Sequence, residues 1–328
     1  MIAVTGATGL VGSYIVRTLH KNNIPFVALR RSGSDLSALS DLQDKINWRE
    51  ADITDPVSLQ QAFQDVTGVI HAAGYVSFNP HKTRTIFQIN TEGTRHVVNA
   101  CLAGSVKRLL HISSIAALGR QKDQTLLNEE NKWVNNTFNG QYAESKYKAE
   151  LEVFRGQEEG LSTVIVNPSV ILGFSNWDKS STQLFKYVWK EKPFYINRSL
   201  NYVDVRDVAD CCLQLFNGSF EGERYILNAG TVPLKTFFDK TAAALMKKAP
   251  GIKVNATLAR ILAEVELLRC RIMRAEPFIT RETARSIDTH FQYDNQKVKK
   301  ALNFSFQTID ATLQWCCEQY TLQHRIKK

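Results

Sequence analysis

The 328-residue sequence lacks the features that mark several specialised protein classes. It has only six cysteines and no CxxC pair, which disfavours a zinc site or a disulfide framework and favours buried free thiols. No apolar run approaches the roughly 18 residues that a membrane span requires. Internal repeats and low-complexity tracts are also missing. Hydrophobic residues at 44% and charged residues at 22% are typical of a globular protein.

A predicted strand begins at Ile2, which leaves no room for a secretory signal, so we expect a cytoplasmic protein. The net charge of +9 is concentrated near the C-terminus, where Lys240–Lys328 contains 16 basic and 8 acidic residues, a difference of +8. A phosphorylated ligand, an anionic membrane or nucleic acid would suit such a region. We favour a solvated basic face and expect no nucleic-acid partner.

Strand-like and helix-like segments alternate through the first half of the chain. Predicted strands cover residues 2–4, 26–29, 68–71, 108–112 and 162–167, and predicted helices cover 10–20, 55–63, 84–102 and 142–154. This alternation predicts an α/β fold, a Rossmann-type doubly wound parallel sheet with ligands at the carboxyl ends of its strands.

The alternation stops after Pro168, where aromatic residues become dense. We therefore predict a Rossmann domain over residues 1–168 plus 201–229. A smaller, helix-rich C-terminal substrate lobe is predicted over 169–200 plus 230–328. An amphipathic helix over 256–273 either packs against this lobe, which we favour, or lies on a membrane surface.

A glycine-rich loop follows the first strand directly. Gly6 permits a tight turn, Gly9 lets the backbone approach a pyrophosphate, and Gly12 allows close packing of helix on strand. Because this loop lies between a predicted strand and a predicted helix, it predicts a dinucleotide site. The cofactor contacts predicted here are Gly6, Thr8, Gly9, Leu10, Val11 and Gly12.

The GxxGxxG spacing of residues 6–12 resembles that of the extended short-chain dehydrogenases/reductases, a group that includes epimerases, dehydratases and dihydroflavonol-type reductases. Arg30 and Arg31 end the second strand, where an acidic residue would bind a ribose 2′-hydroxyl. Guanidinium groups suit a 2′-phosphate, so NADP is the predicted cofactor, with NAD as the alternative. The resemblance adds further cofactor contacts at Asp52, Ile53, Ala72, Ala73, Gly74, Pro168, Ser169 and Val170.

Tyr142 and Lys146 form a YxxxK pair, four residues apart on one helix face. A free tyrosine has a pKa near 10, and a nearby ammonium is expected to bring that pKa toward neutrality. The segment 112–119 matches the family's serine motif and nominates Ser114, with Ser113 as the alternative. By the same resemblance, Asn90 is a structural or proton-relay residue.

The resemblance implies that Ser114 and Tyr142 hold the substrate oxygen, Tyr142 transfers its proton, and Lys146 binds the nicotinamide ribose while hydride moves between substrate and nicotinamide. The segments 167–173 and 277–281 resemble the dihydroflavonol-reductase and 3β-hydroxysteroid-dehydrogenase branch. His71 is expected to be structural and Asp207 to cap a helix. Predicted substrate contacts, which suggest a fairly apolar carbonyl or alcohol, are Val76, Phe78, Ser114, Phe174, Trp177, Leu184, Tyr202 and the loop over 120–139.

Three alternatives stay open: an NAD-dependent nucleotide-sugar epimerase or dehydratase, a non-catalytic NAD(P)-sensing or RNA-binding relative, and a membrane-surface enzyme acting on a lipid-like alcohol. No metal site is predicted. Many relatives form a homodimer through the helices at 84–102 and 142–154, so we expect a homodimer here.

Overall fold

The computed structural model of the chain describes residues 1–121, 124–136, 139–177, 180–255 and 290–326, with the single positions 257, 261, 264 and 269. The predicted helix over 256–273, apart from those four positions, and the segment 277–281 lie outside the described residues. The five cysteines within the described ranges are buried free thiols, as predicted.

Strands and helices alternate along most of the described chain. The strands are β1 (Ile2–Thr5), β2 (Phe26–Arg30), β3 (Trp48–Glu50), β4 (Gly68–His71), β5 (Arg108–Ile112), β6 (Leu126–Leu127), β7 (Ser162–Pro168), β8 (Val170–Leu172), β9 (Phe194–Ile196), β10 (Ser199–Asp204), β11 (Glu223–Leu227), β12 (Gly230–Pro233), β13 (Ile252–Val254) and β14 (Gln292–Tyr293). The described helices are α1 (Leu10–Lys21), α2 (Pro56–Ala62), α3 (Thr83–Phe87), α4 (Gly93–Ala103), α5 (Gln141–Glu158), α6 (Gln183–Trp189), α7 (Val205–Asn217), α8 (Leu234–Leu245), α9 (Gln296–Leu302) and α10 (Ile309–Ile326).

Seven parallel strands form the main sheet, in the order β11-β7-β5-β4-β1-β2-β3. Its central strands are mostly apolar, and β1 and β4 are buried at every residue. One face packs against α1, α7 and α9, and the other packs against α2, α4 and α5. The predicted doubly wound parallel sheet is therefore confirmed, and its strand order reverses between β1 and β4, where such sheets bind ligands.

The remaining strands form small sheets beside the main one. β8, β10 and β12 make a three-stranded sheet, and β13 pairs with β9. The helices α6, α8 and α10 pack on the three-stranded sheet around a core rich in aromatic residues. The proposed domain boundaries stay a prediction. Within the described ranges, no helix combines the length and apolar character that a membrane-spanning segment requires.

Two helices differ from the sequence prediction in ways that matter for the site. The single helix expected over 84–102 is interrupted by a π-helical segment, Gln88–Glu92, that separates α3 from α4. At the start of α7 the capping residue is Asp204, whose side chain accepts from the Arg206 N–H at 2.8 Å. The expected cap, Asp207, lies inside the first turn and accepts instead from the Gln307 N–H at 2.7 Å.

Burial raises the pKa of Asp207 from 3.8 to about 7. Because the folded state holds this proton more tightly than the unfolded state, its contribution to stability is complete below about pH 4 and is lost as pH rises toward 7. Asp207→Asn is therefore expected to raise the melting temperature at pH 8.5 by more than at pH 4.

The matched control is Asp239→Asn in α8, which removes an exposed carboxylate that pairs with Lys235. Melting curves of both variants and the wild type at the two pH values check the prediction. An Asp207→Asn effect of the same size at both pH values would contradict it.

Candidate active site

The glycine loop between β1 and α1 is shaped by close backbone contacts. Gly6 has a φ of 65°, and its carbonyl accepts from the Gly9 N–H at 2.9 Å. A Cβ at Gly6 would lie 2.5 Å from the Ala73 nitrogen, and a Cβ at Gly12 would collide with the Gly6 carbonyl. The loop therefore fits only glycine at both positions, and it keeps β1, β4 and α1 in close contact.

Gly9 is the N-cap residue of α1, and no side-chain cap bonds to the first turn. The first N–H groups of an α-helix have no partner within the helix, and a helix N-terminus without a side-chain cap suits a phosphate. Thr8, Leu10 and Val11 are half-buried around this turn. The glycine cradle and the uncapped helix end fit the pyrophosphate of a dinucleotide.

An open cavity of about 570 Å³ lies beyond the carboxyl ends of β2 and β3. Asp52 forms part of its wall, and its Oδ1 accepts from both the Thr54 N–H and the Thr54 hydroxyl at 2.8 Å. The neighbouring Ile53 packs against Gly93 at the start of α4. The cavity is lined by Arg31, Ser32, Gly33, Ser34, Glu50, Ala51, Asp52, Asp55 and Ser58.

The structure separates the two arginines that end β2. Arg31 is exposed and lines the cavity, whereas the Arg30 guanidinium lies over the Trp48 ring, 5.9 Å from its centre. Among the described residues that line this cavity, Arg31 is the one that carries a guanidinium. Three carboxylates share the cavity wall with it, so the electrostatic environment of this site is mixed.

The carboxyl end of β4 approaches the glycine loop closely. The Ala72 N–H donates to the Thr5 carbonyl, and the Ala73 N–H donates to the Thr5 hydroxyl, both at 3.2 Å. His71 is buried between Thr5 and Thr94, with 2.7 Å and 3.0 Å between its ring nitrogens and the two hydroxyl oxygens. This environment confirms the predicted structural role of His71.

Ser114 and Tyr142 meet where β5 and the start of α5 come together. Ser114 follows β5 at the start of a 3-10 turn, and its hydroxyl accepts from the Ala116 N–H at 3.2 Å. The same hydroxyl lies close enough to the Tyr142 phenol to lower the pKa of that phenol by hydrogen bonding. The Ser113 hydroxyl oxygen is buried and has no hydrogen-bond partner among the described residues.

Lys146 lies one helical turn after Tyr142 and is buried, with 4% of its surface exposed. Its ammonium donates to the Ile112 carbonyl at 2.8 Å. A Cβ placed on Gly74 would lie 4.0 Å from the Lys146 Nζ, so the absence of a side chain at Gly74 keeps this region open. Burial lowers the pKa of Lys146 to about 8, although the charge of Glu150 opposes this shift.

The pKa of Tyr142 moves in the opposite direction from the sequence expectation. Burial raises this pKa, and the hydrogen bond with Ser114 only partly offsets that effect. Burial has the largest effect on this pKa, and the Lys146 ammonium, which donates to the Ile112 carbonyl, is not among the groups that lower it. Tyr142 is therefore a protonated phenol at neutral pH and can donate a proton to an oxygen beside it.

Asn90 lies in the π-helical segment and uses its side chain to hold the backbone after β4. Its Oδ1 accepts from the Tyr75 N–H at 2.7 Å, and its Nδ2 donates to the Tyr75 carbonyl at 2.9 Å and to the Ser145 hydroxyl at 3.0 Å. These bonds connect the π-helical segment to α5 beside Lys146. They support the structural alternative that the sequence left open for Asn90.

Residues 167–170 link the main sheet to the three-stranded sheet. Pro168 ends β7, the Ser169 N–H donates to the Leu227 carbonyl at 3.0 Å, and Val170 begins β8. The Ser169 hydroxyl is buried and has no hydrogen-bond partner among the described residues. Such a hydroxyl is available to a polar group of a ligand, in agreement with the predicted nicotinamide contact.

The predicted substrate residues fall into two groups. Val76 and Phe78 are 42% and 48% exposed, and the Phe78 ring lies edge-on to Tyr142 with 6.0 Å between ring centres. Four others pack in the lobe core, where Trp177 stacks on Tyr320. Of these four, Tyr202 is buried in the core, and three are partly buried against it, namely Phe174, Trp177 and Leu184; a substrate contact at these positions stays a prediction.

The sequence prediction missed Glu150 and Asn167 as a pair. Asn167 donates to the Ser114 carbonyl at 2.9 Å and to a Glu150 carboxylate oxygen at 2.5 Å. The spacing of Glu150, four residues after Lys146 and eight after Tyr142, was a signal that this carboxylate shares their helix face. The Asn167 contact could not be inferred from helical spacing, because it joins α5 to the strand that follows it, 17 residues after Glu150.

Comparison with known proteins agrees with this geometry. Residues 2–230 match the NAD dependent epimerase/dehydratase family. A putative dihydroflavonol 4-reductase of Synechocystis sp. is 28% identical over 318 residues, covering 94% of this chain and 91% of the relative. Cinnamoyl-CoA reductase 1 of Oryza sativa subsp. japonica is 30% identical over 249 residues, covering 71% and 72%.

The crystal structure of gox2253 superposes with a TM-score of 0.83 at 30% identity and covers 99% of this chain and 98% of that one. Its similarity extends to the C-terminal lobe, beyond the residues that the family match covers. The chain therefore belongs to the NAD dependent epimerase/dehydratase family and is an NAD(P)-dependent enzyme of the extended short-chain dehydrogenase/reductase type.

Proposed function

We propose that this protein is an NADP(H)-dependent oxidoreductase that interconverts a carbonyl group and a secondary alcohol on a small, fairly apolar substrate. The pairing of Ser114 with Tyr142 carries this proposal, because the turn that begins at Ser114 packs against α5 and the Ser114 hydroxyl acts on the pKa of the Tyr142 phenol. The dihydroflavonol and cinnamoyl-CoA reductases among the relatives favour a reductase.

The roles of the side chains follow from their positions. Ser114 donates a hydrogen bond to the carbonyl oxygen of the substrate, and Tyr142 gives the same oxygen its proton as the alcohol forms. Bound NADPH supplies the hydride to the carbonyl carbon. Lys146 lies behind Tyr142 and, as an ammonium, stabilises the phenolate that remains after proton transfer.

An apolar substrate is supported by the side chains that border Tyr142. Phe78 is half exposed and contacts the Tyr142 ring edge-on, and Val76 is exposed two residues earlier. An aromatic or aliphatic group of the substrate would bury these apolar surfaces on binding. The preference is for carbonyl compounds that carry such a group beside the reacting carbon.

A preference for NADP over NAD rests on Arg31. Its guanidinium is exposed at the cavity beyond β2, where the 2′-phosphate of the cofactor would lie in the proposed binding mode. Arg31→Ala is expected to weaken NADPH binding by about tenfold to a hundredfold, because the loss of a charge-assisted pair costs roughly 1.5–3 kcal/mol. Binding of NADH, which has no 2′-phosphate, should change by less than about threefold.

Fluorescence titration of both nucleotides measures these dissociation constants. Arg49→Ala is the matched control, because Arg49 lies on β3 and donates to the Ala62 and Gln64 carbonyls away from the cavity. Equal losses for NADPH and NADH in Arg31→Ala would remove Arg31 as the phosphate contact.

The reaction is tested by a carbonyl screen in which NADPH oxidation is followed at 340 nm. Cyclic ketones represent the proposed chemistry, because their reduction gives a secondary alcohol. Aromatic aldehydes and an aromatic CoA thioester are included as other carbonyl classes. Turnover of at least one class is expected. A nucleotide-sugar epimerase would instead retain its nucleotide through purification and would show no net oxidation of added NADPH.

The proposed partners are a small carbonyl or alcohol substrate and a second copy of the chain. The homodimer would use α4 and α5, as in many relatives. The cytoplasmic location and the absence of a nucleic-acid partner stay predictions.

A further inference from the structure

We propose that Glu150 is a positioning residue that fixes Ser114 relative to the helix of Tyr142 and supplies the negative charge on the helix face that carries Lys146. This inference rests on the proposed function, since it assigns a task to Glu150 within that same site. Three polar contacts, one buried and two partly buried, carry it together with the charge of the surroundings.

The first contact is made through Asn167. Glu150 is buried with 0% of its surface exposed, and one carboxylate oxygen accepts from Asn167 Nδ2 at 2.5 Å. The same Nδ2 donates to the Ser114 carbonyl at 2.9 Å. Two hydrogen bonds therefore join α5 to the turn that follows β5. This connection fixes the distance between the Ser114 hydroxyl and the Tyr142 phenol.

The second carboxylate oxygen pairs with Arg224 on the edge strand β11, at 3.2 Å from Nη1. Arg224 also donates to the carbonyls of Glu129 and Asn131, which lie in the loop between β6 and α5. The Glu150 carboxylate therefore lies one helical turn from Lys146, and its charge opposes the effect of burial on the pKa of Lys146.

The other groups around Lys146 carry no negative charge. His71 on β4 and His111 on β5 are fully buried, and burial together with the Lys146 charge lowers the pKa of both rings, so they are neutral. Tyr142 is a protonated phenol, and Asn90 has an uncharged side chain. Among the described residues, Glu150 is the group whose charge raises the pKa of Lys146.

Glu150→Gln tests the charge while leaving an acceptor for Asn167. The pKa of Lys146 is about 8, and it should fall by about one pH unit when the anion is removed. The pH above which kcat declines should fall by the same amount. Turnover should then fall about tenfold at pH 8.5 and by less than about threefold at pH 6.5, with the dissociation constant for NADPH unchanged within about twofold.

A measurement that does not depend on activity separates this inference from the proposed function. Protein labelled with [ε-13C]lysine gives an NMR signal for each lysine, and Lys146→Met assigns the one that matters. Its titration midpoint should move down by about one pH unit in Glu150→Gln. The matched control is Glu144→Gln on the same helix, which removes an exposed carboxylate paired with Lys148 and should leave the midpoint in place.

Glu150→Gln leaves the Arg224 guanidinium without its carboxylate partner, and an unpaired charge at this position destabilises the fold. The double variant Glu150→Gln/Arg224→Met removes both charges and avoids this destabilisation. It should show the same shift of the Lys146 midpoint. An unchanged midpoint in both variants would overturn the inference about charge. A kcat that falls equally at all pH values would reduce Glu150 to a structural role. The proposed function fails separately, if wild-type protein reduces no carbonyl compound or if Tyr142→Phe is fully active.

Discussion

Replacing Tyr142 with phenylalanine is expected to lower kcat for carbonyl reduction by about 100-fold to 10,000-fold, the range that general acid catalysis contributes. The variant keeps the ring and its edge-on contact with Phe78 but removes the proton that the substrate oxygen receives. NADPH should bind within about threefold of wild type, because the glycine loop and the cavity beyond β2 are untouched.

Tyr147→Phe is the matched control on the same helix. The Tyr147 ring stacks on Trp133 with 4.7 Å between ring centres, and its hydroxyl has no role in the proposed reaction. Steady-state kinetics and nucleotide titration of both variants are the measurements. A Tyr142→Phe protein that keeps more than about a tenth of the wild-type kcat would remove the phenol as the proton donor.

Gly12→Ala should have the second largest effect, on cofactor binding and on stability. The added Cβ would collide with the backbone carbonyl of Gly6, which cannot rotate away as a flexible side chain would. Overpacking of this kind typically costs about 1–3 kcal/mol, and here it also displaces the loop proposed to receive the pyrophosphate. We expect NADPH binding to weaken at least about tenfold and the melting temperature to fall.

Gly251→Ala makes the same chemical change where no atom lies within 4 Å of the new Cβ. It should leave both nucleotide binding and the melting temperature at wild-type values. Wild-type NADPH affinity in Gly12→Ala would show that the close packing of α1 on the loop does not matter for the cofactor.

The sequence predicted the main sheet because its signals are local. Hydrophobic periodicity and apolar runs predicted β4 and β5 with the bounds that the structure shows. The order of strand, glycine-rich segment and helix predicted the loop at residues 6–12. Asp55 and Pro56 also start α2 as expected, with the Asp55 side chain accepting from the Val57 N–H. These features depend on neighbours within a few residues, which a single sequence displays.

Features that depend on contacts between distant segments were not predictable. The separation of Arg30 from Arg31 arises because Trp48, on the neighbouring strand β3, lies beneath one guanidinium and not the other. The direction of the Tyr142 pKa shift reflects burial, which the YxxxK spacing does not reveal.

The aromatic residues after Pro168 illustrate the same limit. Their density suggested a substrate pocket, but Trp177 stacks on Tyr320 from α10, more than 140 positions later in the chain. Composition alone does not distinguish an aromatic core from an aromatic ligand site, because both bury the same type of surface. Phe78 is the aromatic residue of the predicted set that lies against Tyr142.

The most direct test of the proposed chemistry follows the hydrogen atom. Wild-type protein is mixed with NADPH deuterated at nicotinamide C4, as separate pro-R and pro-S forms, and with a carbonyl compound that it turns over. Loss of absorbance at 340 nm and deuterium in the isolated alcohol are then measured together. We predict one alcohol formed for each NADPH oxidised, with deuterium on the carbinol carbon from one of the two forms. Alcohol without deuterium from either form, or no net oxidation of NADPH with any carbonyl class tested, would contradict the assignment.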